Sequence, residues 1–375
     1  MKVLIVKASA LGDVVHALPV LSCLRRARRD ITVHWLVEAP WAPLVENHPG
    51  VSRVHRLHTG LWRRASSLPA AWKAFGHLVA RLRRERYDMA LDLQGNCKSG
   101  LFTLLCGAPL RYGFDAKAVR EWPNLLATNR RVSLGPQDHH ITDRSLKISS
   151  TAFPQGLSQT ICAKETEGDA LLSVSDSASL AKVEDFLRDA GWASRKRVLI
   201  HPGTTWPTKE WSMEQWRELA RGLAEDPGTG VVATWGDEGE REAAERILAP
   251  LGSGGRLWPR GTLAELLALF QRMHVVVAGD TGPLHMAAAA GTPTVSFYRA
   301  TDGKRNGPRG SRHIVLQSPL SCSPCLLRQC PRDMACRRSV TVAEVLQAAR
   351  RLLRARPEAA APLPRTSPKS RPHDL

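Results

Sequence analysis

The chain has 375 residues with 43% hydrophobic content, more than one ordinary core holds, and this suits two domains. Its formal net charge of +18 points to a polyanionic partner, whether nucleic acid, an anionic membrane or a phosphorylated substrate. Lys7 and Asp13 interrupt what would otherwise be a signal-peptide core, and the least charged long stretch, 275–298, contains Asp280, His285, three glycines and two prolines, so neither secretion nor a membrane span is expected.

Residues 2–30 read as an apolar strand through Lys7, a small-residue turn at Ala8 to Gly12, and a helix whose basic end follows Cys23. Residues 31–38 supply a second strand, so the opening unit is β-loop-α-β. Another apolar run, Met89 to Leu93, ends at Gln94-Gly95 and leads into a helix around Lys98 to Leu105. Strands alternating with helices predict an α/β fold with a mostly parallel sheet covered on both faces. Between about Thr151 and Ala193 the pattern weakens around one amphipathic helix, Ser179 to Ala190. A domain boundary is expected there, separating residues 1–165 from 166–355. Arg197 to Gly203 then repeats the opening in kind, and strands at 231–236, 275–280 and 294–298 predict a second doubly wound domain. Residues 356–375, rich in Pro, Ala, Ser and charge, cannot bury a core and read as a disordered tail.

In open α/β sheets, ligands sit beyond the carboxyl ends of strands, where free N–H groups of helix N-termini bind phosphate. The segment Asp280-Thr281-Gly282-Pro283-Leu284-His285 follows a strand and opens an Ala-rich helix, which fits a diphosphate site; the plainer reading is a capped helix with a packed histidine. After the strand at Arg197, the turn carrying Thr204, Thr205 and Lys209 places hydroxyls and a cation where an anion could lie, or else it is a solvated loop. Acids at 237–240, Glu240 among them, suit ribose hydroxyls or simple helix capping. In the first domain Asp13 is placed as a general base for an attacking hydroxyl or as a helix cap, and His16 as a packed helix residue. No P-loop, GxGxxG fingerprint, GxSxG elbow or HExxH motif occurs, nor a DxD pair to hold a metal against a diphosphate. Charge neutralisation then falls to Lys209 and the helix N-terminus. Cys23, Cys97, Cys106 and Cys162 are scattered and read as reduced, cytosolic thiols. Cys322, Cys325, Cys330 and Cys336 cluster, and are open to a structural zinc, a disulfide or free thiols.

The segments KVLIVKASALGDVVHALP, ALDLQGNCKSG, HPGTTWPTKEWSMEQW, WGDEGERE and AGDTGPLHMAAAAGTPTVSFY together resemble the bacterial heptosyltransferases of glycosyltransferase family 9, over Met1 to about Tyr298. LWRRASSLPAAWKAF, YDMALDLQGNCKSG and the surroundings of Arg120-Glu121 are most similar to the heptosyltransferase I subgroup. The resemblance implies a GT-B fold, with an N-terminal acceptor-binding and a C-terminal nucleotide-sugar-binding Rossmann-like domain, and an inverting, metal-independent transfer that needs no cofactor. It implies Asp13 as the base and Lys209 as the stabiliser of the donor diphosphate. Thr204 and Thr205 match donor-side hydroxyls, Glu240 an acid on the ribose, and Asp280, Thr281, Gly282 and His285 the segment holding heptose and diphosphate. Arg63, Arg64, Arg120 and Arg144 fall where the family binds phosphorylated Kdo-lipid A.

The implied partners are ADP-heptose, Kdo-lipid A and an anionic membrane surface, with the chain peripheral on the cytoplasmic face of the inner membrane. Heptosyltransferase II, or another family member with a different acceptor or nucleotide sugar, is the alternative within the class. Outside it stands a basic nucleic-acid-binding protein using stretches such as Arg81 to Arg86. Against that, the basic residues lie on amphipathic helices without a stacking platform, so no nucleic-acid partner is expected.

Overall fold

A computed structural model describes residues 1–59, 68–154, 170–174, 176–192 and 194–355. The first half builds strands β1 (Lys2–Val6), β2 (Thr32–Glu38), β3 (Arg53–Leu57), β4 (Met89–Asp92), β5 (Leu110–Phe114) and β6 (Arg130–Val132). Its helices are α1 (Leu11–Val15), α2 (Pro19–Ala27), α3 (Pro43–Glu46), α4 (Leu68–Arg84), α5 (Cys97–Leu105) and α6 (Ile141–Ala152). The second half builds β7 (Lys196–His201), β8 (Thr229–Ala233), β9 (Gly255–Leu257), β10 (Val275–Gly279), β11 (Thr294–Tyr298) and β12 (His313–Gln317). Helices α7 (Ser177–Asp189), α8 (Met213–Ala224), α9 (Glu238–Leu248), α10 (Leu263–Arg272), α11 (Gly282–Ala289), α12 (Gly303–Asn306), α13 (Asp333–Arg338) and α14 (Val342–Ala355) accompany them.

The two six-stranded sheets run in the orders β3-β2-β1-β4-β5-β6 and β12-β11-β10-β7-β8-β9. Every strand pairing is parallel, as between β1 and β4 or β10 and β7. The second order, numbered from β7, is the same doubly wound order as the first, so the expected pair of Rossmann-like sheets is present. In each sheet the order reverses between the first strand of the half and the fourth: β1 beside β4, and β7 beside β10. Ligand crevices form at such switch points because the following loops diverge to opposite faces.

The central strands are buried on both faces: Val3 to Val6 and Val275 to Ala278 are fully covered, as a parallel sheet between helix layers requires. Helix α14 closes the second half, with Val345 and Leu353 in one apolar cluster with Trp216 and Leu223 of α8. Pro19 explains a departure from the expected single long helix after β1. It has no N–H to continue an intrahelical ladder, so the chain makes the short helix α1, turns through Ala17 and Leu18, and restarts at α2. Gly12 and Asp13 consequently lie inside α1 rather than in a turn. The boundary expected at 165/166 and the tail 356–375 lie outside the described residues. Among the described residues no helix is long and apolar enough to cross a membrane.

Candidate active site

The two switch points face each other across one cleft of about 1050 Å³, lined from both halves. On the first-half wall the loop after β1 is fastened by Gln94 from the end of β4: its Oε1 accepts the Ala8 N–H at 2.7 Å and the Ser9 N–H at 3.2 Å. Asp92, fully buried, in turn accepts the N–H groups of Gln94 and Gly95 at 3.0 and 2.9 Å. Gly95 adopts φ +74°, a conformation that favours glycine. Its carbonyl accepts the N–H groups of Arg120 and Glu121 at 3.0 and 2.9 Å, which fixes Arg120 at the cleft. Asp13, at the third position of α1, accepts the Ala10 N–H at 3.3 Å and leaves about a third of its side chain open. Lys7 stands 4.0 Å from it, buried, with its ammonium donating to the Leu93 carbonyl at 2.9 Å. Burial lowers the Lys7 pKa, against the opposing pull of Asp13 and Asp92.

On the opposite wall Lys209 donates to the Asp280 carboxylate at 2.9 Å, and His285 Nε2 lies 3.2 Å from its other oxygen. Burial acts most strongly on Asp280 and pushes its pKa up. The hydrogen bond and charge of His285, then Lys209, overcome this and hold it below the ordinary carboxylate range. The Lys209 ammonium also lies 4.8 Å from the centre of the Trp206 ring, a cation–π contact. Thr281 caps α11 through the Leu284 N–H at 3.5 Å. The Thr204 hydroxyl is buried and has no hydrogen-bond partner among the described residues; such a group is satisfied by a ligand or water. Glu240 turns its carboxylate back to the Gly236 N–H at 2.6 Å, and half-burial raises its pKa. The neighbouring Asp237 takes the capping role, accepting the Glu240 N–H at 3.0 Å, which leaves the Glu240 side chain at the cleft.

The walls touch where α1 meets α11. A Cβ added to Gly12 would lie 2.8 Å from His285 Cδ2, and one added to Gly282 would lie 2.6 Å from Leu11, so these two glycines permit the contact. The rings of His140, His16 and His285 pack in sequence there, with centroids 5.5 and 4.4 Å apart. Burial lowers the His16 pKa well below its ordinary value, with His285 and His140 adding to the effect; His16 is a packed neutral ring, as expected. Farther along, Arg309 grips the Asp143 carboxylate with both guanidinium nitrogens, Nη1 at 2.8 Å, and His139 pairs with Asp302 at 2.8 Å. Arg309→Ala is expected to widen the cleft: small-angle scattering should give a larger radius of gyration, and the melting temperature should fall by a few degrees, about 1–2 kcal/mol of stability. An unchanged radius and melting temperature would show that this pair does not hold the halves together.

Asp13, Lys209, Thr204, Thr205, Glu240, Asp280, Thr281, Gly282 and His285 all line the cleft, as do Arg120 and Arg144. Arg144 donates to the Ala118 carbonyl at 2.8 Å and lies over the Phe114 ring. Burial, and then the charge of Arg305, lower its pKa, which leaves a half-buried cation suited to an anionic ligand. Arg63 and Arg64 lie outside the described residues. Lys7 and Arg305, to which the sequence reading assigned no part in the site, line the cleft as well. For Lys7 the signal was present, as a charge inside an apolar strand.

Buried Arg299 was also missed. Its guanidinium donates to the Glu210 carbonyl and to the Asp333 carboxylate, thereby fixing the turn that carries Lys209.

The zinc expectation at Cys322, Cys325, Cys330 and Cys336 is not supported. All four are free thiols, and no group of three or more metal-ligating side chains is assembled among the described residues. The loop carrying Cys325 is tied to Ala300 by backbone hydrogen bonds, while Cys336 sits on α13 facing Ser318. Cys23, read as reduced, is instead disulfide-bonded.

A family model described as glycosyltransferase family 9 (heptosyltransferase) matches residues 75–335, extending past Tyr298. Lipopolysaccharide heptosyltransferase 1 of Pseudomonas aeruginosa is 33% identical over 335 residues, 88% of this chain and 87% of that protein. Lipopolysaccharide heptosyltransferase 1 of Escherichia coli K12 is 31% identical, over 85% of this chain and 94% of that protein. Among solved structures, E. coli heptosyltransferase WaaC with ADP-2-deoxy-2-fluoro heptose superposes with a TM-score of 0.73 at 27% identity, covering 94% of this chain and 99% of that one. With two doubly wound sheets opposed across a cleft in the GT-B manner, and with these matches over most of its length, the chain belongs to glycosyltransferase family 9, the heptosyltransferases, and is a glycosyltransferase.

Proposed function

We propose that the protein transfers L-glycero-D-manno-heptose from ADP-heptose to the Kdo region of lipid A, with inversion and without a metal, in building the lipopolysaccharide inner core. One observation carries this reading: Asp13 stands on one wall of the cleft and the Lys209–Asp280–His285 cluster on the other. The donor-analogue complex of the E. coli relative supports ADP-heptose as donor. On this reading the diphosphate lies against Lys209, the Thr204 and Thr205 hydroxyls, and the positive end of the α11 dipole. Glu240 accepts from the ribose, and Asp280, Thr281, Gly282 and His285 hold the heptose side. Arg120 and Arg144 take acceptor phosphate.

Asp13 removes the proton from the attacking Kdo hydroxyl as its oxygen bonds to the anomeric carbon. The bond from that carbon to the diphosphate oxygen breaks, and ADP departs toward Lys209. A base and a leaving-group stabiliser on opposite walls support this reading, since inversion requires attack from the side opposite departure. The cationic surface suits work at the anionic cytoplasmic face of the inner membrane. The deciding assay is ADP release with ADP-heptose and Kdo-lipid A, run beside other nucleotide sugars and an acceptor that already carries heptose. Release is expected with the first pair; none above background from folded protein would refute the substrate assignment.

A further inference from the structure

Large apolar side chains are exposed together on one face of the first half. Trp72 of α4 is 69% exposed, Trp122 66% and Leu126 73%, with Leu101 and Leu104 of α5 at 42% and 46%. A soluble surface scatters such residues singly, and a contiguous group marks an interaction face. The group is contiguous because α5 lies at its centre. Leu101 and Leu104, three apart, share the outer side of α5. The turn Trp122–Leu126 packs along one flank: Asn124 Nδ2 donates to the Asn96 carbonyl at 2.9 Å, and a Cβ on Gly100 would lie 3.4 Å from Ala127 Cβ. Along the other flank α4 packs through the Phe75 and Phe102 rings, 5.7 Å apart, with Trp72 edge-on to Phe75 at 5.9 Å.

The charge around this face is mainly positive. Residues 68–84, 97–105 and 122–132 contain no Asp or Glu and carry Lys73, Arg81, Arg83, Arg84, Arg130 and Arg131. Arg83 donates to the Leu105 carbonyl and Arg131 to the Leu125 carbonyl, each at 3.1 Å. Of the acids at its margin, Glu85 is held by Lys2 and Arg53, and Glu121 by the Cys97 N–H. The same face borders the cleft. Arg120, two residues before Trp122, lines the cleft; Glu121 accepts the Cys97 N–H at the start of α5 at 2.8 Å; and Lys98 of α5 donates to Ser9 Oγ, in the loop before Asp13, at 3.2 Å.

We propose that this face of α4, α5 and Trp122–Leu126 docks on an anionic phospholipid bilayer, with the Trp and Leu side chains entering the interface and the cations meeting lipid phosphates. Apolar side chains ringed by Lys and Arg are the composition that binds such an interface, with each cation adding attraction. A second copy of the chain fits poorly, because it would bring two predominantly cationic rings together. The inference deepens the function above and rests on it only in what the cleft then receives, a lipid-borne sugar presented at the bilayer surface.

The test is co-sedimentation of the full chain, without substrate, with vesicles of equal parts phosphatidylglycerol and phosphatidylcholine, and with phosphatidylcholine alone. Binding is expected only to the first, weakening as salt is raised. Trp122→Ser with Leu126→Ser should weaken it at least about tenfold, with circular dichroism and melting temperature unchanged. Arg130→Glu with Arg131→Glu, which leaves the apolar group intact, should weaken it several-fold. Absence of binding by the parent chain, or equal binding by both variants, overturns the proposal. So does a solution dimer that the same serine substitutions dissociate, since that makes the face a self-association surface. ADP release from a detergent-dispersed acceptor should be unaffected by either variant, so failure of the docking and failure of the transferase reading are read separately.

Discussion

Asp13→Asn is expected to lower kcat by about two to four orders of magnitude while the KM for ADP-heptose moves by no more than a few-fold. Asparagine keeps an oxygen to accept the Ala10 N–H, which Asp13 holds at 3.3 Å, so α1 and its approach to His285 are retained. What it loses is the capacity to take a proton. Lys7 keeps its hydrogen bond to the Leu93 carbonyl, so its buried ammonium is not stranded. Loss of rate with donor binding preserved is the signature of a group that acts only in the transition state. Steady-state kinetics at saturating donor and acceptor decide the matter, and a kcat near that of the parent removes Asp13 from the base role.

Lys209→Ala should reduce kcat/KM by about 10² to 10³, and it should also destabilise the fold by about 3 kcal/mol. The second effect arises because Asp280 is 7% exposed at its side chain and would keep a buried charge with only His285 beside it. The two effects separate in the double variant Lys209→Ala, Asp280→Asn. Neutralising the carboxylate should restore most of the melting temperature, while the departing diphosphate still lacks its cation and the rate stays low. Recovery of rate together with stability would show that Lys209 acts by holding the fold alone. Lys209→Arg tests geometry: charge is kept, but the planar fork does not reproduce an ammonium 2.9 Å from Asp280 and close to the Trp206 ring, so only partial activity is expected.

The seven strands legible in the sequence are the central ones, β2, β1 and β4 in one sheet and β11, β10, β7 and β8 in the other. Their continuous apolar runs exist because both faces are covered by helices. The five that escaped, β3, β5, β6, β9 and β12, occupy the outer positions, where burial is partial and Arg, His and Gly dilute the pattern. Helix α1 was concealed for a different reason: five residues ahead of Pro19 make too short a run for periodicity to register.

The Asp280-Thr281-Gly282 turn was readable because strand, glycine, proline and helix follow one another within a few residues. Glu240 was readable as one acid of a cluster, but its separation from the capping Asp237 was not. That division depends on which carboxylate faces Gly236 and which the Glu240 N–H, a matter of a few ångströms of backbone path. Arg299 reads as an ordinary arginine after a strand. Its role at Glu210 follows only from contacts 89 and 34 residues away in sequence.

By itself, then, the sequence determined the order of strands and helices, the two-sheet α/β class and most of the residues at the strand ends, because periodicity and turn chemistry are local properties. That the two domains face each other across a cleft was implied by the family resemblance rather than by periodicity, and only the tertiary structure decided that Gly12 and Gly282 let α1 reach α11 and that Lys209 and His285 share Asp280. It also decided that four clustered cysteines assemble no metal site and that five scattered apolar residues form one face. Each of these depends on contacts between residues far apart in sequence, and their distances are set by how the helices pack on the sheets.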